Sequence, residues 1–419
     1  MNILKKYVIL GYVYGVGGWQ TYIANKLSIM EKEGYKIYAV SNSHRKMSGK
    51  GLPILKQFYD NKIDEFFFPF PSELNTRVIA GVVDRFKTII DYHEDDEIII
   101  EATLLDLFLW AEYLAQQLNG RSICVEVSNR FKKYPHSTLD FFDFKAKRGE
   151  LIMMSKTGLH ELFSGYIDYP EIDTNTVGAL TQNEFQDDGK DYKSILDISS
   201  YDYIIGTVGW LNKGYYKVLI DEVIKFCGQN PDKKVQFIVV GKSTRGDVEK
   251  IYKQKADGVA NLKLSLMGSI APVPSNLVKL FDVSVSSYGC AMITDKLGVT
   301  TISMHDPENI PLGIVSYTIT DSPFNQRVNY DKTICDLLTD ILVNKVCENM
   351  ERKDYPYVTV DEQKEKHLKR IREFPPKIEY YDVLSLKKDN ASVKHKAMVI
   401  IQKTFGIRAV KQIIRLLGK

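Results

Sequence analysis

The sequence predicts an α/β protein in which two doubly wound parallel sheets form two domains. In both halves, apolar runs of strand length alternate with segments of helical periodicity, and parallel strands need such helical crossovers. The chain has 419 residues, which is too long for one hydrophobic core and suits two domains of about 200 residues each. Residues 186–197 are polar and charged, as linkers are. We therefore expect a first domain over residues 1–185, a linker over 186–200, a second domain over 201–372 and a C-terminal return segment over 373–419.

A strand, a glycine loop and a helix open the first domain. Residues 6–12 predict a strand that runs into GVGG at residues 15–18, and residues 35–41 predict a second strand after a helical pattern. Glycines after a strand let the backbone pass close to a ligand at the positive end of a helix. Gly17 and Gly18 are therefore candidate ligand contacts. A plain tight turn fits the same spacing, because it is not GxGxxG.

Polar side chains follow the later strands of the first domain. These strands are predicted at residues 97–102, 122–127, 151–155 and 176–180, with a helix over residues 107–118. Glu101 and Glu126 lie at strand ends, where ligands of parallel sheets bind, and His136 follows soon after. By position, these three could supply a general base. A solvated loop explains Glu126 equally well, and a histidine in the segment KKYPH is more often a surface residue.

The second domain begins with YIIGTVGWLNKGYY at residues 203–216, a buried strand that runs into a glycine-broken loop. Further strands are predicted at residues 235–241, 264–267, 283–286 and 299–304, and helices at residues 216–227, 247–256, 274–281 and 291–297. Residues 325–370 have a helical pattern with charged faces. Gly209 and Lys213 follow the carboxyl end of a strand, so they are candidate walls of a ligand site. An exposed loop lysine is the alternative for Lys213.

Charge and cysteine content exclude several classes of protein. The formal net charge is +3, so no bulk electrostatic case for nucleic-acid binding follows. The five cysteines are scattered without CxxC spacing, which indicates neither a disulfide framework nor a zinc site and fits a reducing compartment. The apolar run near the N-terminus is too short to span a membrane and predicts a strand. A cytoplasmic location is therefore expected.

The last segment of the chain is basic and amphipathic, unlike the segments before it. Residues 391–419 hold seven basic residues and no acidic one. One predicted helical face carries Ile407, Val410, Ile414 and Leu417, and another carries Arg408, Lys411, Arg415 and Lys419. Such a pattern is typical of an interfacial helix on an anionic membrane surface. The alternative is a terminal helix that docks on the first domain through the same apolar face.

Six stretches of the chain resemble the GT-B glycosyltransferases, especially family 4 and relatives that build bacterial surface polysaccharides. They are GVGGW at 15–19, TVGWLNKG at 207–214, FIVVG at 237–241, FDVSV at 281–285, GVTTI at 298–302 and HDPENIPLG at 305–313. The first is similar to the family's glycine loop and the second to the loop that starts its nucleotide-sugar domain. Two departures stand out. Trp210 occupies a place near the family's arginine, and SYGCAMITDKL, between Ser286 and Gly298, lacks the paired glutamates of many members.

The resemblance implies a GT-B fold, with two Rossmann-like domains facing a cleft and a C-terminal amphipathic helix. It also implies a nucleotide diphosphate sugar as donor and no cofactor. Lys213 and the backbone N–H groups of the turn at Ser287 and Gly289 are candidates for holding the diphosphate. Glu308 could bind a ribose hydroxyl pair, although a loop carboxylate without a partner is just as common. No D-x-D pair lies at a strand end, so we predict a reaction without a metal ion.

These observations favour a bacterial glycosyltransferase of polysaccharide or capsule biosynthesis, with a lipid-linked glycan as acceptor. It is expected to be peripheral on the inner face of the plasma membrane, held to anionic lipid by residues 391–419, with no nucleic-acid partner. A soluble enzyme acting on a small acceptor or a protein is one alternative. The missing glutamates also allow a non-catalytic GT-B protein that binds a nucleotide or serves as a scaffold for another transferase.

Overall fold

The computed structural model describes most of the chain and divides it into two compact units. The described residues are 4–15, 17–41, 51–126, 136–153, 162–163, 177–178, 180, 185–243, 246–270, 272–305, 308–319, 331–353, 359–375, 378–386 and 392–416. One unit comprises Met1–Thr181 together with Thr359–Lys419, and the other comprises Gln182–Val358. We call them the first and the second unit.

The first unit is built on a parallel sheet of five strands among the described residues. The strands are β1 (Lys5–Leu10), β2 (Lys36–Val40), β3 (Glu97–Ala102), β4 (Arg121–Glu126) and β5 (Leu151–Met153), in the order β2–β1–β3–β4–β5. After their first residue, β1, β3 and β4 are buried throughout. Both faces of the sheet are therefore covered, which explains why these strands are continuous apolar runs in the sequence.

Helices cover this sheet on both sides. They are α1 (Gly18–Lys32), α2 (Pro53–Lys56), α3 (Thr76–Ile90), α4 (Leu105–Gln117) and α5 (His136–Lys147), with single 3₁₀ turns at Asp64–Phe67 and Pro71–Glu73. Helix α3 was not expected from the sequence. It begins at Asn75, whose side chain accepts a hydrogen bond from Val78 N at 2.9 Å, and it ends at Asp91 in the left-handed conformation. The strand predicted over residues 176–180 falls partly outside the described residues.

The second unit contains a mixed sheet of six strands in its described part. In chain order its elements are α6 (Tyr192–Ile195), β6 (Tyr203–Val208), α7 (Tyr216–Gln229), β7 (Val235–Val240), α8 (Asp247–Ala256), β8 (Leu262–Gly268), α9 (Ser275–Val278), β9 (Val283–Ser286), α10 (Tyr288–Lys296), β10 (Thr300–His305), β11 (Ile310–Ile314) and α11 (Ile334–Leu338). The strand order is β11–β10–β9–β6–β7–β8, and only β11 pairs antiparallel. The predicted strands over residues 203–208 and 283–286 have the predicted bounds, whereas β11 was not expected.

The chain returns to the first unit after the second. Helices α12 (Val360–Arg372) and α13 (Val393–Leu416) both belong to the first unit. Residues 359–372, which the sequence analysis assigns to the second domain, therefore pack elsewhere. The reason is that His367, on α12, is fully buried against α1.

A buried polar network holds α12 in place. Lys26 Nζ, on α1, lies 3.6 Å from Glu101 Oε2 and 3.3 Å from His367 Nδ1. Tyr7 Oη donates to Glu101 Oε2 at 2.5 Å, and His367 Nε2 lies 3.0 Å from Gly178 O. Burial lowers the pKa of His367 well below its usual value, and the Lys26 charge lowers it further. A neutral His367 can donate from Nε2 to Gly178 and accept from Lys26 at Nδ1.

This network predicts a loss of stability in mild acid. Because the pKa of His367 is lower in the folded chain than the unfolded value of 6.5, the unfolded chain binds more protons below that pH. The contribution of His367 to the free energy of unfolding is therefore fully present above pH 6.5. It falls as the pH drops toward the pKa of folded His367, by at most about 1.4 kcal/mol per pH unit. His367→Gln keeps a donor and an acceptor without titrating, so its melting temperature should fall less between pH 7.5 and pH 5.5 than that of the wild type.

The exposed His93 supplies the matched control for this measurement, since its side chain is 65% exposed. His93→Gln should leave the pH dependence of the wild type in place. Parallel melting curves of His367→Gln and the wild type over the same pH range would show that His367 does not carry the effect.

A second buried network joins α4, α5 and the return segment. Lys145 Nζ lies 2.9 Å from Glu112 Oε2 and 2.6 Å from Glu150 Oε2, and it donates to Ser122 O at 2.9 Å. Glu112 Oε1 in turn accepts a hydrogen bond from Tyr381 N at 2.7 Å. The charged side chains are 1–2% exposed. The return segment is thus fixed to the first unit by a charge cluster inside its core.

Helix α13 is docked on the first unit by its apolar face. Val410 is fully buried in the core of that unit, and Ile407 and Ile414 pack against it. These residues belong to the face that the sequence analysis assigns to lipid, so the docked alternative describes their contacts. Leu417 and Lys419 lie outside the described residues. No helix in the described part of the chain has the length and apolar character needed to cross a membrane.

Candidate functional site

Three loops of the second unit meet at the carboxyl edge of its sheet. Strands β10, β9 and β6 are adjacent and parallel, so their carboxyl ends lie at the same edge. The loop after β6 carries Gly209 and Lys213, the turn after β9 carries Ser287, and the turn after β10 carries Glu308. The edge of a parallel sheet where such loops converge is the usual place for a ligand.

Lys213 joins the first two loops. Its Nζ donates a hydrogen bond to Ser287 Oγ at 2.5 Å and lies 4.7 Å from the ring centroid of Tyr288. Burial raises the pKa of the nearby Cys290 thiol, and the Lys213 charge opposes that rise. The sequence predictions of Lys213 and Ser287 therefore fall on neighbouring side chains, although 74 residues separate them along the chain. The lysine holds a positive charge at the start of α10.

The start of α10 has the properties of an anion site. Ser287 is the residue before the helix and is 1% exposed, and its side chain makes no capping hydrogen bond to the helix. The N–H groups of the first turn of a helix have no partners within the helix, and they lie at its positive end. A side chain added at Gly289 would meet no described atom within 4 Å. Among the described residues, the helix start therefore has open space at the Cβ position of Gly289 and a lysine beside its first turn.

Tyr288 adopts an unusual backbone conformation at this turn. Its φ is +52°, in the left-handed region that residues other than glycine seldom occupy. Such conformations cost about 1–3 kcal/mol each and cluster at ligand sites. The conformation accompanies the placement of the Tyr288 ring beneath the Lys213 ammonium. The left-handed conformation of Tyr288 was not expected, because no local sequence pattern predicts it for a tyrosine.

Glycines allow the loop after β6 to pack closely on its neighbours. Gly209 has a φ of +152°, and a Cβ there would come within 2.7 Å of Tyr216 Oη. A Cβ on Gly241, which follows β7, would lie 1.9 Å from the Gly209 carbonyl oxygen. Both positions therefore require glycine, which fixes the backbone that carries Lys213. The Cβ position of Gly209 lies 3.9 Å from Cys290 Sγ, and the role of Gly209 as a wall of the site remains a prediction.

The turn between β10 and β11 reaches the same loop. A Cβ on Gly214 would come within 2.3 Å of Asn309 Oδ1, so the Asn309 side chain packs directly against the Gly214 backbone. Glu308, one residue earlier, is 51% exposed at its side chain, and its Oε2 lies 3.6 Å from His305 Nδ1. Glu308 is thus near the site with its carboxylate partly open to solvent. Asn309 was missed in the sequence, and its left-handed φ of +58° is the feature that places it.

The candidate residues of the first unit lie at the carboxyl edge of its own sheet. Gly17 precedes α1, Gly18 is its first residue, and Glu126 ends β4 with 4% exposure. His136 is the first residue of α5, and its side chain lies outside the described atoms. Because β1 and β4 are parallel members of one sheet, their carboxyl ends share one edge. The roles assigned to them remain predictions.

Glu101 is a poor candidate for the general base. It is fully buried on β3, where it accepts from Tyr7 and faces Lys26. Its charge and its hydrogen bonds contribute, after burial, to raising the pKa values of Tyr7 and Tyr22 well above their usual value. A base must reach the hydroxyl of its substrate. Glu101 instead serves the core network that holds α12.

The described residues contain no group of three or more His, Cys, Asp and Glu side chains arranged to hold a metal ion. The expectation of a reaction without a metal remains a prediction, and it assigns the charge of a leaving diphosphate to Lys213 and to backbone N–H groups.

Comparisons with known proteins show the fold. No protein-family model matches the sequence, and no curated protein matches it either. Among solved structures, a glycosyltransferase from Rickettsia africae is similar with a TM-score of 0.52 and 13% identity, over 89% of this chain and 95% of the other. HepE from Anabaena, solved with UDP and glucose, has a TM-score of 0.51 and 12% identity over 99% of both chains. MnaA from S. aureus, solved with UDP, has a TM-score of 0.50 and 11% identity over 90% of this chain and all of the other (100%).

These similarities are too low in identity to assign a family, and they span nearly the whole chain. The two parallel-dominated sheets, the helical crossovers and the C-terminal helix agree with the architecture predicted from the sequence. The chain therefore has the GT-B fold, with two Rossmann-like domains and a C-terminal helix.

Proposed function

We propose that this protein is a glycosyltransferase that uses a UDP-sugar as donor. The observation that carries the proposal is the hydrogen bond between Lys213 and Ser287 at the start of α10. It sets a fixed positive charge beside the first backbone N–H groups of a helix, at the edge of a parallel sheet. The solved structures of similar fold include proteins in complex with UDP, which supports a uridine nucleotide in particular.

The proposed reaction transfers the sugar from phosphate to a hydroxyl group. The acceptor oxygen forms a bond to the anomeric carbon, the bond from that carbon to the diphosphate oxygen breaks, and the hydroxyl proton passes to a base. Negative charge grows on the departing diphosphate. The Lys213 ammonium and the N–H groups of Tyr288 and Gly289 would stabilise it, as fixed donors do in other transferases. Glu308 would bind the ribose.

The acceptor in this proposal is a lipid-linked glycan of a surface polysaccharide. This choice rests on the resemblance to family 4 and to transferases of bacterial polysaccharides. The first unit would supply the base from Glu126 or His136, which stand at or near the carboxyl edge of its sheet. We place the enzyme in the cytoplasm, peripheral on the inner face of the plasma membrane.

A non-catalytic nucleotide-binding or scaffold protein is the second candidate. The observation that favours it is the composition of α10, whose one carboxylate is Asp295. Asp295 is buried, its Oδ2 accepts a hydrogen bond from Ser316 at 2.6 Å, and its Oδ1 lies 3.2 Å from Arg352 Nη2. It is therefore committed to the protein interior. The helix offers no glutamate that could contact a donor sugar.

A transfer assay separates the two candidates. The purified protein is incubated with a panel of radiolabelled UDP-sugars and a membrane extract containing lipid-linked oligosaccharides, and released UDP and labelled lipid are both measured. We expect one UDP-sugar to yield labelled lipid. A protein whose melting temperature rises with UDP, but which neither transfers nor hydrolyses any donor, would instead be a nucleotide-binding scaffold.

A further inference from the structure

Helix α13 is held against the first unit by one face only. Met398, Gln402 and Val410 are at least 94% buried on that face. His395 Nε2 also lies 2.6 Å from Glu73 Oε1, and Lys411 forms an ion pair with Asp64. Apolar burial together with two charged contacts fixes the helix against the first unit. Its other side is therefore presented to the surroundings in a defined orientation.

The opposite side of the first half of α13 carries both exposed apolar side chains and exposed lysines. Val393 is 85% exposed, Ile400 is 64% exposed and Phe405 is 72% exposed, which is unusual for side chains of this size. Lys396 and Lys403 are also exposed, four residues before and three residues after Ile400. On an α-helix such spacings place both lysines beside Ile400. Val393, Lys396, Ile400 and Lys403 share one side of the helix, and Phe405, about 140° around the axis from Ile400, flanks that side at the end of the segment. We call these five residues the outer face.

The helix is broken next to this face. Gly406 has a φ of +77° and a ψ of 175°, which interrupts the helical backbone directly after Phe405. The second half then carries the exposed Arg408 and, near its end, Leu416 at 85% exposure. The break leaves Phe405 at the end of a helical segment, with solvent around most of its ring. An aromatic side chain in that position can enter an interface without moving the docked residues.

We propose that the outer face of α13 binds an anionic lipid bilayer. Exposed apolar side chains flanked by lysines are the pattern of helices that lie in the headgroup region. Charge complementarity favours lipid as the occupant, because residues 391–419 contain seven basic residues and no acidic one. Val393 and Ile400 insert between acyl chains, Phe405 contacts lipid at the flank of the face, and Lys396 and Lys403 contact lipid phosphates. The residues that the sequence pattern assigns to lipid, such as Val410, instead hold the helix to the protein.

The outer face rests on the proposed function in one respect, because it is the surface that would bring the enzyme to a lipid-linked acceptor. Its binding to an anionic bilayer does not depend on catalysis. The two can therefore fail separately: vesicle binding tests the outer face, and hydrolysis of the UDP-sugar in the absence of vesicles tests the donor site.

The test uses the full chain and vesicles of phosphatidylcholine with or without phosphatidylglycerol, separated by flotation. We expect the wild type to bind the anionic vesicles, to bind neutral ones much less, and to dissociate as salt is raised. The double variant Ile400→Glu with Phe405→Glu should reduce binding at least tenfold. Ile195→Glu is the matched control, since Ile195 is 60% exposed on α6 of the second unit, and it should bind as the wild type does.

Melting temperatures separate loss of the surface from loss of the fold. Because Ile400 and Phe405 are exposed, the double variant should melt within a degree or two of the wild type. Lys396→Gln with Lys403→Gln should weaken binding to anionic vesicles and leave the weak binding to neutral ones unchanged. Equal binding of anionic vesicles by the wild type and the Ile400→Glu, Phe405→Glu variant would overturn the proposal. Equal binding of vesicles with and without phosphatidylglycerol by the wild type would also overturn it.

Discussion

Replacing Lys213 by alanine is expected to lower the rate of sugar transfer about 100- to 1,000-fold. In the proposed reaction, Lys213 stabilises charge that develops on the departing diphosphate, so its loss acts on the transition state more than on donor binding. The fold should survive, because the lysine lies on a loop and its contacts are with Ser287 and the Tyr288 ring. The measurement is kcat and KM for the UDP-sugar, together with the melting temperature.

Two further variants make this result specific. Lys217→Ala removes an exposed lysine four residues away, at the beginning of α7, and should leave kcat unchanged. Lys213→Arg keeps the charge and changes its geometry, so activity should lie between that of the wild type and that of the alanine variant. Full activity in Lys213→Ala would show that the charge at the start of α10 has no part in the reaction.

Replacing Lys145 by methionine is expected to destabilise the protein by about 3–5 kcal/mol. Lys145 is 1% exposed and lies between Glu112 and Glu150. Removing the ammonium leaves Glu112 in the core without its cation, whereas Glu150 keeps its contacts with Arg121 and Arg148. The Tyr381 N–H bond to Glu112 then anchors the return segment to an uncompensated charge. Urea unfolding followed by circular dichroism measures the change.

Lys147→Met provides the comparison for this stability measurement. Lys147 is 69% exposed and lies 2.7 Å from Asp143 on the same helix. Exposed ion pairs of this kind contribute about 0–1 kcal/mol. Comparable unfolding midpoints for Lys145→Met and Lys147→Met would mean that the buried network does not stabilise the first unit.

The fold was largely predictable because parallel strands covered on both faces are continuous apolar runs. The predicted bounds of β3, β6 and β9 agree with the structure, as do those of α8. The antiparallel strand β11 was not predicted, because it follows a short turn and has Pro311 as its second residue, and proline weakens a strand pattern. An edge strand tolerates it.

The return of α12 and of the return segment to the first unit could not be predicted from periodicity. Its contacts with the first unit depend on buried charged groups, among them Lys26, His367, Glu112 and Lys145. The hydrophobic pattern of a sequence predicts that charged residues lie on exposed faces, because unpaired charges are seldom buried. Only the three-dimensional pairing of lysine with glutamate and histidine shows that they are core residues.

The candidate site was predicted in part. Lys213, Gly209 and Ser287 were found because they follow parallel strands, whose carboxyl ends must share one edge. Tyr288 and Asn309 were missed because their contribution depends on left-handed backbone conformations, which sequence alone signals weakly for residues other than glycine. Glu101 was a candidate base because it lies near the end of a strand, but its side chain is buried in the core of the first unit.

The most direct test of a donor site at the start of α10 is protection of Cys290 from a small alkylating reagent. Cys290 is the third residue of α10, beside Gly209 and Lys213, and the partly exposed Cys347 in the same unit provides an internal reference. Mass spectrometry follows the alkylation of both thiols as UDP is added. Saturating UDP should slow alkylation of Cys290 while Cys347 reacts at its original rate. Unchanged alkylation of Cys290 at a UDP concentration that saturates binding would contradict it.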